Sequence, residues 1–196
     1  MSSLLELPLF PLQNVLFPEN FMPLRIFEPR YLSLIRDCQQ NETGFGVVAI
    51  KTGDEVKSES GQSTVEIHGV GTLASVTKVN QVAPDLLSIW IRGSAKFEVE
   101  AHWQAEDGIE TGLVEFLPSE PVYPFDLKGE EQILNAYFQI SGTTDEEKEK
   151  VIEKLSTNTV ANRLAHYIPF PLQVKQQLLE LNDPNERLEL IKSVLK

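Results

Sequence analysis

The chain has a single cysteine, Cys38, so no disulfide can form within it, and a reducing compartment is the expected setting. No run approaches the ~18 apolar residues of a membrane-spanning helix. Positive charge is scarce: 17 Lys and Arg face 29 Asp and Glu, a formal net charge of −12. No block of Lys and Arg stands out, which argues against phosphate backbones and anionic membranes as partners. The three histidines, His68, His102 and His166, are scattered, and with one cysteine they offer no metal-ligand spacing. None of these shortages implies disorder. Hydrophobic residues make up 41% and charged residues 23%, ordinary globular usage. A chain of this length buries roughly 70% of its unfolded surface without staples.

Apolar and rigid material is plentiful at the start, in LPLFPLQNVLFPENFMPLRIFEPRYLSLI. Five prolines and four phenylalanines lie between Leu4 and Tyr31. The stretch has no basic flank and no unbroken apolar core, so it reads as part of the fold and not as a secretory signal. The cytoplasm is the expected location.

Residues 1–120 read mostly as strands. GFGVVAIK (44–51) is a short apolar run bounded by glycine, TVEIHGVGTLASVTKV (64–79) is rich in β-branched residues, and GLVEFL (112–117) is another short strand. LLSIWIRGSAKFEVEAHW (87–103) contains two alternating runs around Arg92-Gly93-Ser94, a hairpin signal. The polar stretch GDEVKSESGQS (53–63) reads as a surface loop. One helix interrupts the strands. Pro29 suits a first helical position, and Tyr31, Leu32, Leu34, Ile35 and Cys38 recur at helical spacing as far as Asn41.

PSEPVYPFD (118–126) carries three prolines and marks a boundary. Residues 121–196 then read as five helices joined by short loops. They span 130–140, from the capping box Thr144–Glu147 to Leu155, 159–168, 171–181 and 183–195.

Several stretches mimic catalytic motifs. Gly69-Val-Gly71-Thr-Leu-Ala74 matches a dinucleotide fingerprint, but strand material follows it where a helix is required. Lys51-Thr52 resembles the end of a phosphate loop, yet Ile50 and Phe45 occupy the glycine positions. Cys38 sits on the apolar stripe of its helix and reads as a structural thiol, not as a nucleophile served by a histidine. The acid pairs Glu130-Glu131 and Glu146-Glu147 lie at helix starts, where they offset the macrodipole. Trp90 and Trp103 offer stacking surface for bases, but no basic residues gather beside them in sequence, so packing is the stronger reading.

The blocks Pro8–Leu12, Val15–Pro18 and Pro23–Tyr31 resemble the opening of the N-terminal, substrate-binding domain of Lon proteases and of its stand-alone relatives. That family begins with P-L-F-P-L, then V-L-F-P, then P-L-x-I-F-E-P-R-Y. One departure is Glu19, where a glycine often follows V-L-F-P. Val70–Ala74 is similar to the family's V-G-T-x-A strand, Gly93–Phe97 to its G-x-x-R/K-F strand, and Lys175–Glu180 followed by Asp183–Leu188 to the end of its helical part. The resemblance implies an α+β fold: a PUA-like small β-barrel with one inserted helix over residues 1–120, then a C-terminal helical bundle over 121–196, together one Lon N-terminal-type domain. It implies a non-catalytic recognition module linked to proteolysis or protein quality control, with no cofactor and no metal, binding peptide segments of unfolded or partner proteins. The ATPase phosphate loop and the Ser-Lys protease dyad of the longer enzymes have no counterpart in the sequence.

Within the opening segment Phe10, Phe17, Phe21 and Met22 are the candidates for an exposed apolar groove. Arg25, Glu28 and Arg30 are the charged candidates beside it, the last two bracketing Pro29. Strand addition at a barrel edge is one expected binding mode. The alternatives are a PUA-like RNA-binding module, which the net charge opposes, and a small-molecule binder using the cleft between barrel and bundle.

Overall fold

The computed structural model describes residues 4–52 and 65–195, so the expected 53–63 loop lies outside the described residues. The chain divides into two compact units, Met1–Pro118 and Ser119–Lys196.

The first unit is a six-stranded sheet with one helix. Its elements are β1 (Leu5–Leu12), β2 (Phe21–Ile26), α1 (Pro29–Asn41), β3 (Phe45–Thr52), β4 (Glu66–Ala83), β5 (Leu86–Gln104) and β6 (Glu110–Phe116). The strand order is β2-β5-β4-β3-β1-β6, and β5 also pairs with β6, so the pairings run from β5 through β4, β3, β1 and β6 back to β5. β1 and β3 are parallel, and every other pair is antiparallel. The prolines of β1 sit where they do little harm. β6 pairs with Leu5–Leu9 and β3 with Leu9–Leu12, so Pro8 and Pro11 each have a strand neighbour on one side only. A residue without an N–H is tolerated at such half-open positions.

α1 begins at Pro29, as the sequence predicts, and ends where Glu42 turns left-handed (φ 53°) with its N–H on the Cys38 carbonyl. Its apolar stripe, Tyr31, Leu32, Leu34, Ile35 and Cys38, is buried. That stripe packs in one cluster with Phe10, Leu12, Leu16, Met22, Ile26, Phe45, Val47, Ile89 and Ile91. Each such side chain contributes roughly 1.5–3 kcal/mol by leaving water. Most of the apolar opening segment is therefore core.

The hairpin expected at Arg92-Gly93-Ser94 is absent. β5 runs unbroken through it, and the chain reverses instead between β4 and β5 at Pro84-Asp85. Gly93 serves close approach and not a turn. A Cβ there would lie 2.5 Å from the Phe17 carbonyl oxygen. Its N–H donates to the Asn20 carbonyl and its carbonyl accepts from the Glu19 N–H, both at 3.0 Å. A register shift between Thr72–Lys96 and Ala74–Gly93 places a bulge there, the usual device for bending a strand. Nearby, the Thr72 hydroxyl donates to the Leu16 carbonyl at 2.6 Å. The V-L-F-P segment and the two residues after it are thus fastened to β4 by the Thr72 hydroxyl and to β5 by backbone hydrogen bonds. The dinucleotide-like glycines lie within β4. A Cβ on Gly71 would lie 2.6 Å from the tip of the Phe97 ring, so that glycine makes room for a core aromatic.

The second unit holds α2 (Glu131–Ser141), α3 (Lys148–Ile152), α4 (Thr157–Tyr167), α5 (Leu172–Glu180) and α6 (Pro184–Val194). These match the five helices expected. The Asp183 carboxylate caps α6 by accepting from the Asn185 N–H, and the Ser156 hydroxyl caps α4 by accepting from the Thr159 N–H. The Thr144–Glu147 box forms in part: the Thr144 N–H and hydroxyl donate to the Glu147 carboxylate at 3.1 and 2.8 Å, but the Glu147 N–H reaches the Thr144 carbonyl and not its hydroxyl, and the helix is shorter than the expected span to Leu155, running only from Lys148 to Ile152. Residues 119–127 are held to the helices. The Phe125 N–H donates to the Leu155 carbonyl, the Thr157 N–H to the Tyr123 carbonyl, and the Asn158 amide to the Pro121 carbonyl.

Candidate peptide-binding surface

Alternation along the strands sorts the candidates. Phe10 stacks on Tyr31 with ring centroids 4.0 Å apart, and Phe10, Phe17 and Met22 are 7%, 0% and 5% exposed. These three belong to the core and do not line a groove. The reason is geometric: successive β-strand side chains point to opposite faces, so Met22 turns inward where its neighbour Phe21 turns outward. Phe21 is 39% exposed.

Glu28 and Arg30 are engaged in structure. The Arg30 guanidinium donates to the Glu28 carboxylate at 2.9–3.0 Å and to the Gly108 carbonyl at 2.8 Å, and lies 4.4 Å from the centre of the Tyr31 ring. It clasps the start of α1 to the turn between β5 and β6. Of the seven candidates, Phe21 and Arg25 remain on the surface.

The sheet register surrounds these two with residues from other strands. Across β2, β5 and β4 the outward positions line up in three rows: Phe21, Arg92 and Ser75; Pro23, Trp90 and Lys78; Arg25, Ser88 and Asn80. The alternating positions Met22, Ile89, Ile91 and Ile26 face the core on the other side. Trp90, 40% exposed, is the centre of this nine-residue face. The Arg92 guanidinium sits 5.9 Å from the Phe21 ring centroid. Among the described residues the Arg25 and Lys78 side chains make no hydrogen bond or ion pair. The face therefore carries three cations and no carboxylate, in a chain of net charge −12.

Arg92, Lys78 and the role of Trp90 escaped the sequence reading. One signal was local: in IWIR, Trp90 and Arg92 alternate with the buried Ile89 and Ile91. The contribution of Lys78 depends on register across a hairpin, which no local pattern reveals. Cations do stand beside Trp90, but they arrive from three strands.

Elsewhere the chemistry is sparse. The described residues contain no group of three or more His, Cys, Asp and Glu suited to a metal. Burial pushes the Cys38 thiol up, with a hydrogen bond to Thr43 acting against it and the Asp37 charge adding to it, so the thiol stays protonated and unreactive. No described helix is long and apolar enough to cross a membrane. Within the helical unit, Tyr137, Val151 and Leu155 floor an open cavity of 510 Å³ rimmed by Lys150 and Lys154.

Comparison with known proteins agrees with this picture. The model of the ATP-dependent protease La (LON) substrate-binding domain matches residues 6–196. Among curated proteins, Lon protease of Anaeromyxobacter dehalogenans is 24% identical over 96% of this chain and 23% of its own length. Lon protease of Brevibacillus choshinensis is 25% identical over 97% of this chain and 24% of its own. The chain thus spans about a quarter of the length of these relatives. Among solved structures, a Lon N-terminal domain protein from Xanthomonas campestris superposes with a TM-score of 0.71 at 27% identity, covering 96% of this chain and 98% of that one. The N-terminal domain of a Mycobacterium avium complex Lon protease, at 14% identity and a TM-score of 0.61, shares the fold. A family model that covers all but the first five residues, together with the same mixed α+β fold in a solved Lon N-terminal domain, places this chain in the LON substrate-binding domain family.

Proposed function

We propose that the chain is a non-catalytic, cytoplasmic recognition module that binds polypeptide segments for proteolysis or quality control. The binding surface is the outer face of β2, β5 and β4, on a small PUA-like barrel. The circuit of strand pairings from β5 back to β5 supports the barrel. The carrying observation is the exposure of Phe21 and Trp90 around Pro23 on a sheet whose other face is core. Rigid exposed aromatics lose little entropy on binding and are frequent anchors of interfaces. Binding on the face is favoured over strand addition along β2, because Pro23 takes an N–H donor out of the middle of that edge.

The test is a peptide array of unfolded-protein segments. The double variant Phe21→Ala, Trp90→Ala is expected to lose most binding while melting at an unchanged temperature. Wild-type binding to no segment, or full binding by the double variant, refutes this reading. The second reading is nucleic-acid binding, which the three cations around Trp90 favour and the net charge opposes. A steep loss of association with structured RNA as salt rises is its signature.

A further inference from the structure

We infer that the face around Trp90 selects extended segments in which an apolar residue is flanked by side-chain carboxylates. The inference rests on the reading above, that this face binds polypeptide, and it names the class of segment.

The argument is one of charge and spacing. Trp90 has Arg92 two residues along its own strand and Lys78 directly across on β4. Arg25 lies on β2, opposite Ser88. In a sheet these steps are ~7 Å along a strand and ~5 Å between strands. The cations thus sit within two positions of the aromatic centre, the span that separates a side chain from its i±2 neighbours in an extended ligand. An apolar side chain seated on Trp90 and Pro23 brings carboxylates two residues away within reach of Arg92 and Arg25. A neutral polar flank would leave those charges with water, and a basic flank would be repelled.

A short acidic peptide suits this site better than a polyphosphate. Salt screens charge beyond ~8–10 Å, so a ligand covering nine residues feels the local three cations. A nucleic-acid strand extends past them into the field of a chain with net charge −12, and three cations neutralise few phosphates.

The experiment uses the full chain and three dye-labelled, C-terminally amidated peptides in which a central phenylalanine carries glutamate, serine or lysine at the second residue on each side, with glycine between, so that all three side chains share one face of the extended peptide. A dye-labelled oligo-dT serves as a fourth probe. Fluorescence anisotropy is expected to show the glutamate peptide binding about tenfold tighter than the serine peptide, with the lysine peptide weakest, and the difference vanishing in 1 M salt. The triple variant Arg25→Gln, Lys78→Gln, Arg92→Gln is expected to bind the glutamate and serine peptides equally, at the wild-type serine value and with an unchanged melting temperature. Equal wild-type affinity for all three peptides overturns the acidic preference and leaves peptide recognition standing. A glutamate preference that survives in the triple variant overturns the assignment to this face. Binding of oligo-dT without any peptide, or of no probe at all, overturns both the inference and the reading beneath it.

Discussion

The Arg187 guanidinium is wholly buried and gripped by the carboxylate of Glu120, 67 residues earlier in the chain, at 2.5 Å from Nη2 and 2.9 Å from Nη1. Its remaining donors reach the Leu178 carbonyl and the Asn162 side-chain oxygen, both at 2.7 Å, and the Leu181 carbonyl. All five N–H groups of the side chain are used. One residue of α6 thereby binds α4, the end of α5 and the segment that enters the helical unit.

Removing one partner leaves the other charge buried and alone. Arg187→Met and Glu120→Gln are each expected to cost about 3–5 kcal/mol. The double variant Arg187→Met, Glu120→Leu is expected to cost less than Arg187→Met alone, because no orphan charge remains. Denaturant unfolding monitored by circular dichroism measures both. A double variant less stable than the single by a full additive amount contradicts this account.

Gly93 and Gly69 lie in neighbouring strands and are expected to respond oppositely. A Cβ on Gly93 meets a backbone oxygen at 2.5 Å, while one on Gly69 meets nothing within 4 Å. Gly93→Ala is expected to cost about 1–3 kcal/mol through forced displacement. Gly69→Ala is expected to stabilise by up to about 1 kcal/mol, since alanine restricts the unfolded chain more. Shifts of the denaturant midpoint in the same direction would count against the close approach of Phe17 to β5.

Glu19, directly after the V-L-F-P segment, holds a left-handed conformation, φ 64°. A non-glycine residue pays roughly 1–2 kcal/mol there, and glycine recovers most of it, less ~0.5–1 kcal/mol of unfolded-state entropy. Glu19→Gly is expected to stabilise by about 0.5–1 kcal/mol, and Glu19→Val to destabilise. Calorimetric melting temperatures on the two variants decide it, and a lower value for Glu19→Gly removes the strain argument.

Lys175 is buried, its ammonium donating to the His166 carbonyl at 2.6 Å, and burial pulls its affinity for the proton below the usual lysine range. The folded state therefore releases this proton at lower pH than the unfolded state does. Between those two values the unfolded chain binds more protons, so this group's contribution to stability rises with pH. The difference in unfolding free energy between wild type and Lys175→Met, followed from neutral pH into the lysine range, is expected to shift in favour of wild type as pH increases. A flat difference rules the effect out.

Some of this architecture is written locally. Pro29 and the five-residue apolar stripe mark α1, Asp183-Pro184 opens α6, and the strand material after Gly71 excludes a nucleotide loop. Other features are not local at all. Gly93 has the look of a turn because glycine serves turns and close approaches alike, and only the Phe17 carbonyl packed against it separates the two. Phe10, Phe17 and Met22 are apolar like Phe21; the pleat of β2 turns Met22 inward and Phe21 outward, while Phe10 in β1 and Phe17 in the segment between β1 and β2 are buried by packing that no local pattern reveals.

By itself the sequence determined most of the element types, the apolar opening segment as mostly core, and the family, because these rest on spacing and composition along the chain. Only the tertiary structure decided that Arg25, Lys78 and Arg92 converge on Trp90 and that Arg187 finds Glu120. Those pairings depend on strand register and helix packing, where residues far apart in the chain become neighbours through the burial of other residues.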